Sequence, residues 1–135
     1  MFDTKVAILV LDDLPVWQKL NVTAFLSTGI AGAAPEAMGL AYEDAAGRRY
    51  ARLLGELVMI FAAGLDVLQR ARRQAFERDL VCAAYVRAMF ATGHDAANRE
   101  VFRLEDAEAP DLVGIAVRGA KKDVDKAIKG ARLHP

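Results

Sequence analysis

Cysteine, net charge and long apolar runs are what this 135-residue sequence has least of. Its single cysteine, Cys82, cannot form an internal disulfide, and its place in "DLVCAAYV" indicates a small buried hydrophobic residue. One cysteine and two histidines cannot build a Cys/His metal cluster, which leaves carboxylates as the remaining way to hold a metal. We therefore expect no metal and no cofactor.

The charges balance, with 18 Lys and Arg against 18 Asp and Glu. A chain without net charge has no global field to attract nucleic acid or an anionic membrane surface. The apolar run "KVAILVL" at residues 5–11 is too short for a membrane span. We expect a cytoplasmic protein without nucleic-acid or membrane partners, in which any anion site must be local.

One local basic excess stands in the last segment of the sequence, where cations outnumber Asp123 and Asp125. It is either a solvated face or a set of phosphate contacts, with Lys126 as the predicted ligand-binding member. The cations of this segment are Lys121, Lys122, Lys126, Lys129 and Arg132.

Apolar runs alternate with amphipathic segments along the whole chain, without repeats or low-complexity tracts. This alternation predicts a single α/β domain, residues 1–135, with a parallel or mixed sheet and helices on both faces. The predicted strands are 5–11, 57–63, 80–86 and 112–119, and the predicted helices are 14–28, 65–79, 95–102 and 120–130. A small hairpin is predicted from 39–43 and 48–53.

The first helix is predicted to start with Asp13 as its N-cap and to stop at Gly29. The helix has two apolar faces and no broad solvated face; one consists of Val16, Trp17, Leu20 and Ala24, and the other of Val22, Phe25 and Leu26. Lys19 and Thr23 share a narrow polar stripe between those faces, and Asn21 adds a third polar group.

Lys19 is interpreted as part of a site because its helix begins at the carboxyl end of the first strand, where open α/β sheets bind ligands. Asp12 stands at the same edge, and the Lys19 side chain is directed back toward it. An Asp12–Lys19 pair would leave a cation near helix N–H groups that can receive an anion. The alternative is that Lys19 only extends its ammonium to water.

The segment "ATGHD" predicts a second functional feature after the third strand. His94 can act as a general base oriented by the Asp95 carboxylate. In the alternative interpretation Asp95 caps the following helix and His94 stabilises the turn. No serine or second cysteine stands at a recognisable nucleophile elbow, so a hydrolase triad is unsupported.

Four segments together resemble the uncharacterised family catalogued as domain of unknown function two-thousand. They are "LDDLPVWQKLNVTAFLSTGIAG", "AYEDAAGRRY", "MFATGHDAAN" and "VDKAIKGARLHP". That family is grouped with the type II peptidyl-tRNA hydrolase fold. The resemblance implies a three-layer α/β/α sandwich around a four-stranded mixed sheet.

The hydrolases themselves are similar to this chain at two places. The spacing from Asp12 to Lys19 matches their first motif, Thr23 stands where their glutamine would be, and "DKAIKGARL" at 125–133 resembles their ending. Two departures stand beside these matches. "DLPVWQ" replaces a glycine-and-lysine loop, and Asp106 in "EDAEAPD" matches their catalytic segment only weakly.

The leading hypothesis is an uncharacterised cytosolic protein whose pocket around Asp12, Lys19, Thr23 and His94 binds a small anionic or nucleotide-like ligand. Hydrolysis of that ligand is left open, and any enzymatic activity would be that of a hydrolase. The alternatives are peptidyl-tRNA hydrolysis and a noncatalytic homo-oligomeric module. The apolar excess, together with the dimers common among the resembled hydrolases, predicts a homodimer. The predicted catalytic residues are Lys19, Asp12 and His94, and the predicted ligand-binding residues are Thr23, Asn21, Asp95 and Lys126.

Overall fold

The first apolar run forms the central strand of a mixed sheet. A computed structural model describes residues 3–135, in which β1 (Thr4–Leu11) is buried from Val6 onward. It pairs in parallel with β4 (Val58–Ala63) and antiparallel with β6 (Leu112–Ala120). The outer strands are β5 (Val81–Val86) beside β6 and β7 (Arg132–Leu133) beside β4, which gives the order β5-β6-β1-β4-β7.

Helices cover both faces of this sheet. At Gly114 in β6, an added Cβ would lie 2.4 Å from Val22, and at Gly119 one would lie 2.3 Å from Leu80. Because side chains alternate along a strand, positions 114 and 119 point to opposite faces. The helices are α1 (Val16–Ala33), α2 (Leu65–Glu77), α3 (Asp95–Arg103) and α4 (Lys121–Ala127). The first face is covered by α1, which contains Val22, and the second by the end of α2, which precedes Leu80.

A two-stranded antiparallel hairpin, β2 (Met38–Glu43) and β3 (Arg49–Leu54), stands apart from the main sheet. Asp44 organises its turn by accepting hydrogen bonds from the backbone N–H and the Nε of Arg48, at 3.0 and 2.9 Å. The backbone bond from Arg48 is the main reason that the pKa of Asp44 lies below its ordinary value. Gly47 supplies the positive φ of 82° that closes the turn.

A buried ion pair ties β6 to the connection between β3 and β4. The Arg118 guanidinium donates to Glu56 from Nε at 2.8 Å and from Nη2 at 3.2 Å. The Glu56 side chain has no exposed surface, and Thr4 donates to its second oxygen at 2.9 Å. The pKa of Arg118 is raised, first by the hydrogen bond to Glu56, so the guanidinium stays charged.

The expected four-stranded sheet is wrong in its strand count, because the main sheet has five strands and the hairpin forms a second sheet. The additional strand, β7, has two residues and is too short to leave an apolar run in the sequence. The predicted α/β fold with a mixed sheet is confirmed. Of the part of the chain that the structure describes, no helix combines the length and apolarity that crossing a membrane requires.

The predicted ends of the first helix are also wrong. Pro15, not Asp13, occupies the N-cap, and no side chain caps the helix there. The helix continues through Gly29 to Ala33. At Gly29 an added Cβ would lie 2.9 Å from the Cβ of Ala83 in β5, so this glycine permits close packing of helix on strand and does not terminate the helix.

Candidate functional site

The carboxyl ends of three strands meet at one edge of the main sheet. β1 and β4 are parallel, and β1 and β5 are both antiparallel to β6, so β1, β4 and β5 run in one direction. α1 begins at this edge, directly after β1. Ligands of open α/β sheets are commonly bound there. The structure places the predicted residues of this edge in two groups, one on each flank of α1.

The first group joins the start of α1 to β7. The Arg132 Nη2 donates to Asp12 Oδ1 at 2.7 Å, and the Lys19 Nζ lies 3.2 Å from the His134 Nε2. The expected pairing of Asp12 with Lys19 is therefore replaced by two separate pairs. The cause is β7, which pairs Arg132 with Ala62 beside the end of β1 and is followed directly by His134.

The contact between Lys19 and His134 assigns the imidazole tautomer. An ammonium has donors and no acceptor, so His134 Nε2 accepts from Lys19 and the ring proton is on Nδ1. Nδ1 lies 3.1 Å from the main-chain oxygen of Pro135, which accepts that proton. Thr23 has no equivalent role, because its hydroxyl donates to the Lys19 carbonyl within the helix at 2.8 Å.

The second group lies on the other flank of α1 and forms a cleft of about 290 Å³, which we call the aromatic cleft. Trp17 and Phe25 of α1 face Tyr85 at the end of β5 and Phe90 after it. Ring centroids are 6.0 Å apart for Trp17 and Phe90, 5.2 Å for Tyr85 and Phe90, and 5.9 Å for Phe25 and Tyr85. Trp17 is 61% exposed, so its ring borders the cleft instead of being packed in the core.

Polar groups complete the aromatic cleft. His94 is the N-cap of α3, where its Nδ1 accepts the Ala97 N–H at 3.2 Å. In this tautomer Nε2 carries the proton and is a donor. Asp95 forms an ion pair with Arg99 within the helix. The Asn21 amide lines the cleft and has no hydrogen bond within residues 3–135.

The site residues predicted from the sequence thus do not share one pocket. Asn21, His94 and Asp95 line the aromatic cleft, and Lys19 does not. Lys126 is exposed on α4, which packs against α2, and it joins neither group. The N-cap is His94, whereas the capping alternative assigned that role to Asp95. The parts that these residues play in binding or catalysis stay predictions.

The aromatic walls of the cleft are not among the site residues predicted from the sequence. The sequence pattern predicts Trp17 on a covered apolar face of α1, yet Val16, Trp17 and Leu20 are each more than 60% exposed, and the buried residues are Val22, Leu26 and Ile30. Two aromatic residues eight positions apart on one helix, Trp17 and Phe25, were the available signal. Within residues 3–135 no group of three or more His, Cys, Asp or Glu side chains is arranged to hold a metal ion.

The protein thus has an α/β fold with a mixed sheet, and two groups of candidate site residues lie beside α1 at one edge of that sheet. Residues 4–135 match the model of the family described as Protein of unknown function (DUF2000), and the chain belongs to that family. It is similar to a solved structure of a protein of unknown function from Agrobacterium tumefaciens strain C58, with 46% identity, full coverage of both chains and a TM-score of 0.94. No curated protein matches the chain.

Proposed function

We propose that this protein binds a small planar, nucleotide-like ligand in the aromatic cleft. The supporting observation is the combination of solvent-exposed aromatic rings with hydrogen-bonding groups at the carboxyl end of β5. Ligand sites in proteins pair apolar walls with a few polar groups in this way. The cleft volume of about 290 Å³ suits a ring system and not a macromolecular segment.

The rings determine the shape of the ligand. Trp17 and Phe90 meet edge to face, with an angle of 64° between their planes, and both line the cleft. Aromatic faces attract other π-systems in offset or edge-to-face arrangements, which contribute about 0.5–1.5 kcal/mol beyond area burial. A flat heterocycle therefore gains more from these walls than an aliphatic molecule of equal volume.

The polar groups of the cleft determine which hydrogen-bonding atoms the edge of the ligand carries. Asn21 presents an amide with both donors and an acceptor, and His94 presents the Nε2 proton. Together they can satisfy a heterocycle that carries adjacent acceptor and donor atoms. His94 in this tautomer cannot take up a proton at Nε2, so the cleft is proposed as a binding site and a hydrolytic step is not assigned to it.

The single tryptophan of the chain makes the proposal directly testable. Screening nucleobases, nucleosides and nucleotides should yield compounds that quench Trp17 fluorescence and raise the melting temperature, since a ligand of the native state stabilises it. Asn21→Ala should weaken their binding, whereas Gln18→Ala, one turn earlier on α1 and outside the cleft lining, should not. A library without any quenching compound would contradict the proposal.

Peptidyl-tRNA hydrolysis on the type II hydrolase fold is the second candidate. It is favoured by Lys19, which stands at the matching distance from Asp12 and is held at the sheet edge by His134. Because the chain has no net charge, we expect tRNA affinity no better than about 10⁻⁴ to 10⁻⁶ M at physiological salt. Release of the peptidyl group at enzyme-like rates, lost in Lys19→Ala, would place this candidate first.

A further inference from the structure

A second cavity, of about 430 Å³, lies on the face of β5 opposite to the aromatic cleft. Cys82 and Ala84 of β5 line it, whereas Tyr85 lines the aromatic cleft and Ala83 approaches α1 at Gly29. Alternating residues of one strand thus serve two different concavities. A ligand in this cavity would therefore bind at a different place from the ligand proposed above.

The walls of this cavity are apolar and partly uncovered. Phe76 of α2, Phe102 of α3 and Leu112 of β6 supply its largest apolar side chains. Phe76 is 69% exposed and Phe102 is 41% exposed, so much of both side chains is open to solvent. A volume of about 430 Å³ falls in the range of small-molecule sites. These walls fit the apolar body of a small molecule.

A guanidinium is fixed beside the apolar walls. Arg72 donates from Nε to the Gln69 side-chain oxygen at 3.3 Å and from Nη2 to the Glu108 carbonyl at 2.9 Å. Its carbon Cζ also lies 6.0 Å from the centre of the Phe76 ring. Since a guanidinium has five N–H groups, these two hydrogen bonds leave further donors for a ligand. A side chain held on several sides loses little freedom when it binds.

One oxygen of each acidic side chain in the cavity lining accepts a backbone N–H. Glu105 accepts the Asp111 N–H at 2.6 Å, and Asp106 accepts the Glu108 N–H at 2.9 Å. Arg103, by contrast, lines the cavity without an ion pair or side-chain hydrogen bond within residues 3–135. Arg72 and Arg103 thus keep free N–H donors beside the apolar walls, and such donors bind an anion.

We propose that this cavity binds a small amphipathic carboxylic acid, with its apolar chain between Phe76 and Phe102 and its carboxylate on Arg72. The planar fork of a guanidinium matches both oxygens of a carboxylate. An aliphatic or arylalkyl acid of about eight to twelve heavy atoms would fill the volume with one charged end, consistent with the size range of small-molecule sites. A neutral apolar molecule would use the same walls and leave the guanidinium donors unused.

Three probes with the same chain length separate these possibilities: octanoate, octanol and octylamine. Titrated calorimetrically into the full chain, octanoate should bind at least about tenfold more tightly than octanol, as a charged hydrogen bond predicts, and octylamine should bind most weakly. Arg72→Gln should remove the preference for octanoate over octanol. The matched control is Arg73→Gln, the exposed neighbour outside the cavity lining, which should retain it.

Cys82 reports where the probe binds, because it is the single cysteine of the chain and lines this cavity. Saturating octanoate should slow the reaction of its thiol with a disulfide reagent. Ala84→Leu should fill the cavity and abolish octanoate binding. If Arg72→Gln does not fold, Arg103→Gln provides the test and should weaken octanoate by a smaller factor. Equal affinity for octanoate and octylamine, or no protection of Cys82, would overturn the proposal.

Discussion

Lys19 and His134 share a hydrogen bond across 115 residues of sequence, with the ammonium nitrogen 3.2 Å from His134 Nε2. In this bond His134 Nε2 is the acceptor, and the ring proton is on Nδ1. It exists because His134 N–H donates to the Ile60 carbonyl at 3.0 Å, which extends the pairing of β7 with β4 to the edge where α1 begins. The site hypothesis for Lys19 therefore depends on a strand that has only two residues.

Lys19→Ala should change the free energy of unfolding by no more than about 1 kcal/mol, because it removes one partly exposed hydrogen bond. Asp12 keeps its partner Arg132 in this variant, so no carboxylate is left uncompensated. The His134 Nε2 should lose its donor, which ¹⁵N NMR of the ring will detect. Lys126→Ala is the control and should leave the His134 spectrum unchanged.

Lys19→Ala also tests the separation of the two groups beside α1. Because Lys19 does not line the aromatic cleft, quenching of Trp17 by a cleft ligand should persist in the variant. Loss of that quenching with an unchanged melting temperature would show that one ligand spans both flanks of the helix. A loss of about 3–5 kcal/mol in stability would instead show that Lys19 neutralises a buried carboxylate.

Two glycines of α1, three residues apart, should respond to alanine with opposite signs. Gly32→Ala should stabilise the protein by about 0.5–1 kcal/mol, because alanine is the better helix former and no atom lies within 4 Å of the new Cβ. Gly29→Ala should destabilise it by about 1–3 kcal/mol, because the new Cβ would lie 2.9 Å from that of Ala83. Chemical denaturation of both variants gives the comparison. Equal effects would mean that α1 does not approach β5 this closely.

The strands could be predicted from the sequence more easily than the site. β1, β4 and β6 are apolar runs without alternation. This pattern is typical of central strands in an α/β sheet, because helices cover both faces of the sheet. β7 has no such pattern, since the pair Arg132 and Leu133 is exposed and its position depends on the completed β4. The partners of Asp12 and Lys19 therefore could not be found from local sequence.

The exposed face of α1 shows a second limit. Apolar residues surround this helix, and periodicity alone does not tell which of them face the sheet. Val22 and Leu26 are buried because they pack against Gly114 in β6, where the absence of a side chain leaves room for them. This contact joins residues about ninety positions apart. Trp17 lies outside this contact and becomes a wall of the aromatic cleft instead.

The two acidic partners of Arg118 should differ sharply in their contribution to stability. Glu56→Ala should cost about 3–5 kcal/mol, because it leaves a mostly buried guanidinium without its fully buried partner. Glu36→Ala removes the exposed partner at 3.4 Å and should cost no more than about 1 kcal/mol. Urea denaturation at neutral pH gives the free energies of unfolding of the two variants, and their difference compares the two partners of Arg118. Similar losses would contradict the assignment of Glu56 as the structural partner.

The hairpin is the surface on which we expect a homodimer to form. β2 and β3 contact mainly each other, and an isolated two-stranded hairpin is marginally stable in water. It exposes large apolar side chains on strands that have a free edge, namely Leu40, Tyr42, Tyr50 and Leu53. A second copy that covers these side chains would contribute to the roughly 800 Å² per partner of a stable interface.

Leu40→Glu should therefore convert a dimer into a monomer in sedimentation velocity at micromolar concentration, because it places a charge in the centre of that surface. Leu104→Glu is the matched control, since Leu104 is 84% exposed against 88% for Leu40 and follows α3, outside the hairpin. It should leave the sedimentation coefficient unchanged. A species of only 14.7 kDa for the unaltered chain would exclude the homodimer. A dimer that survives Leu40→Glu and dissociates with Leu104→Glu would move the interface to the region that follows α3.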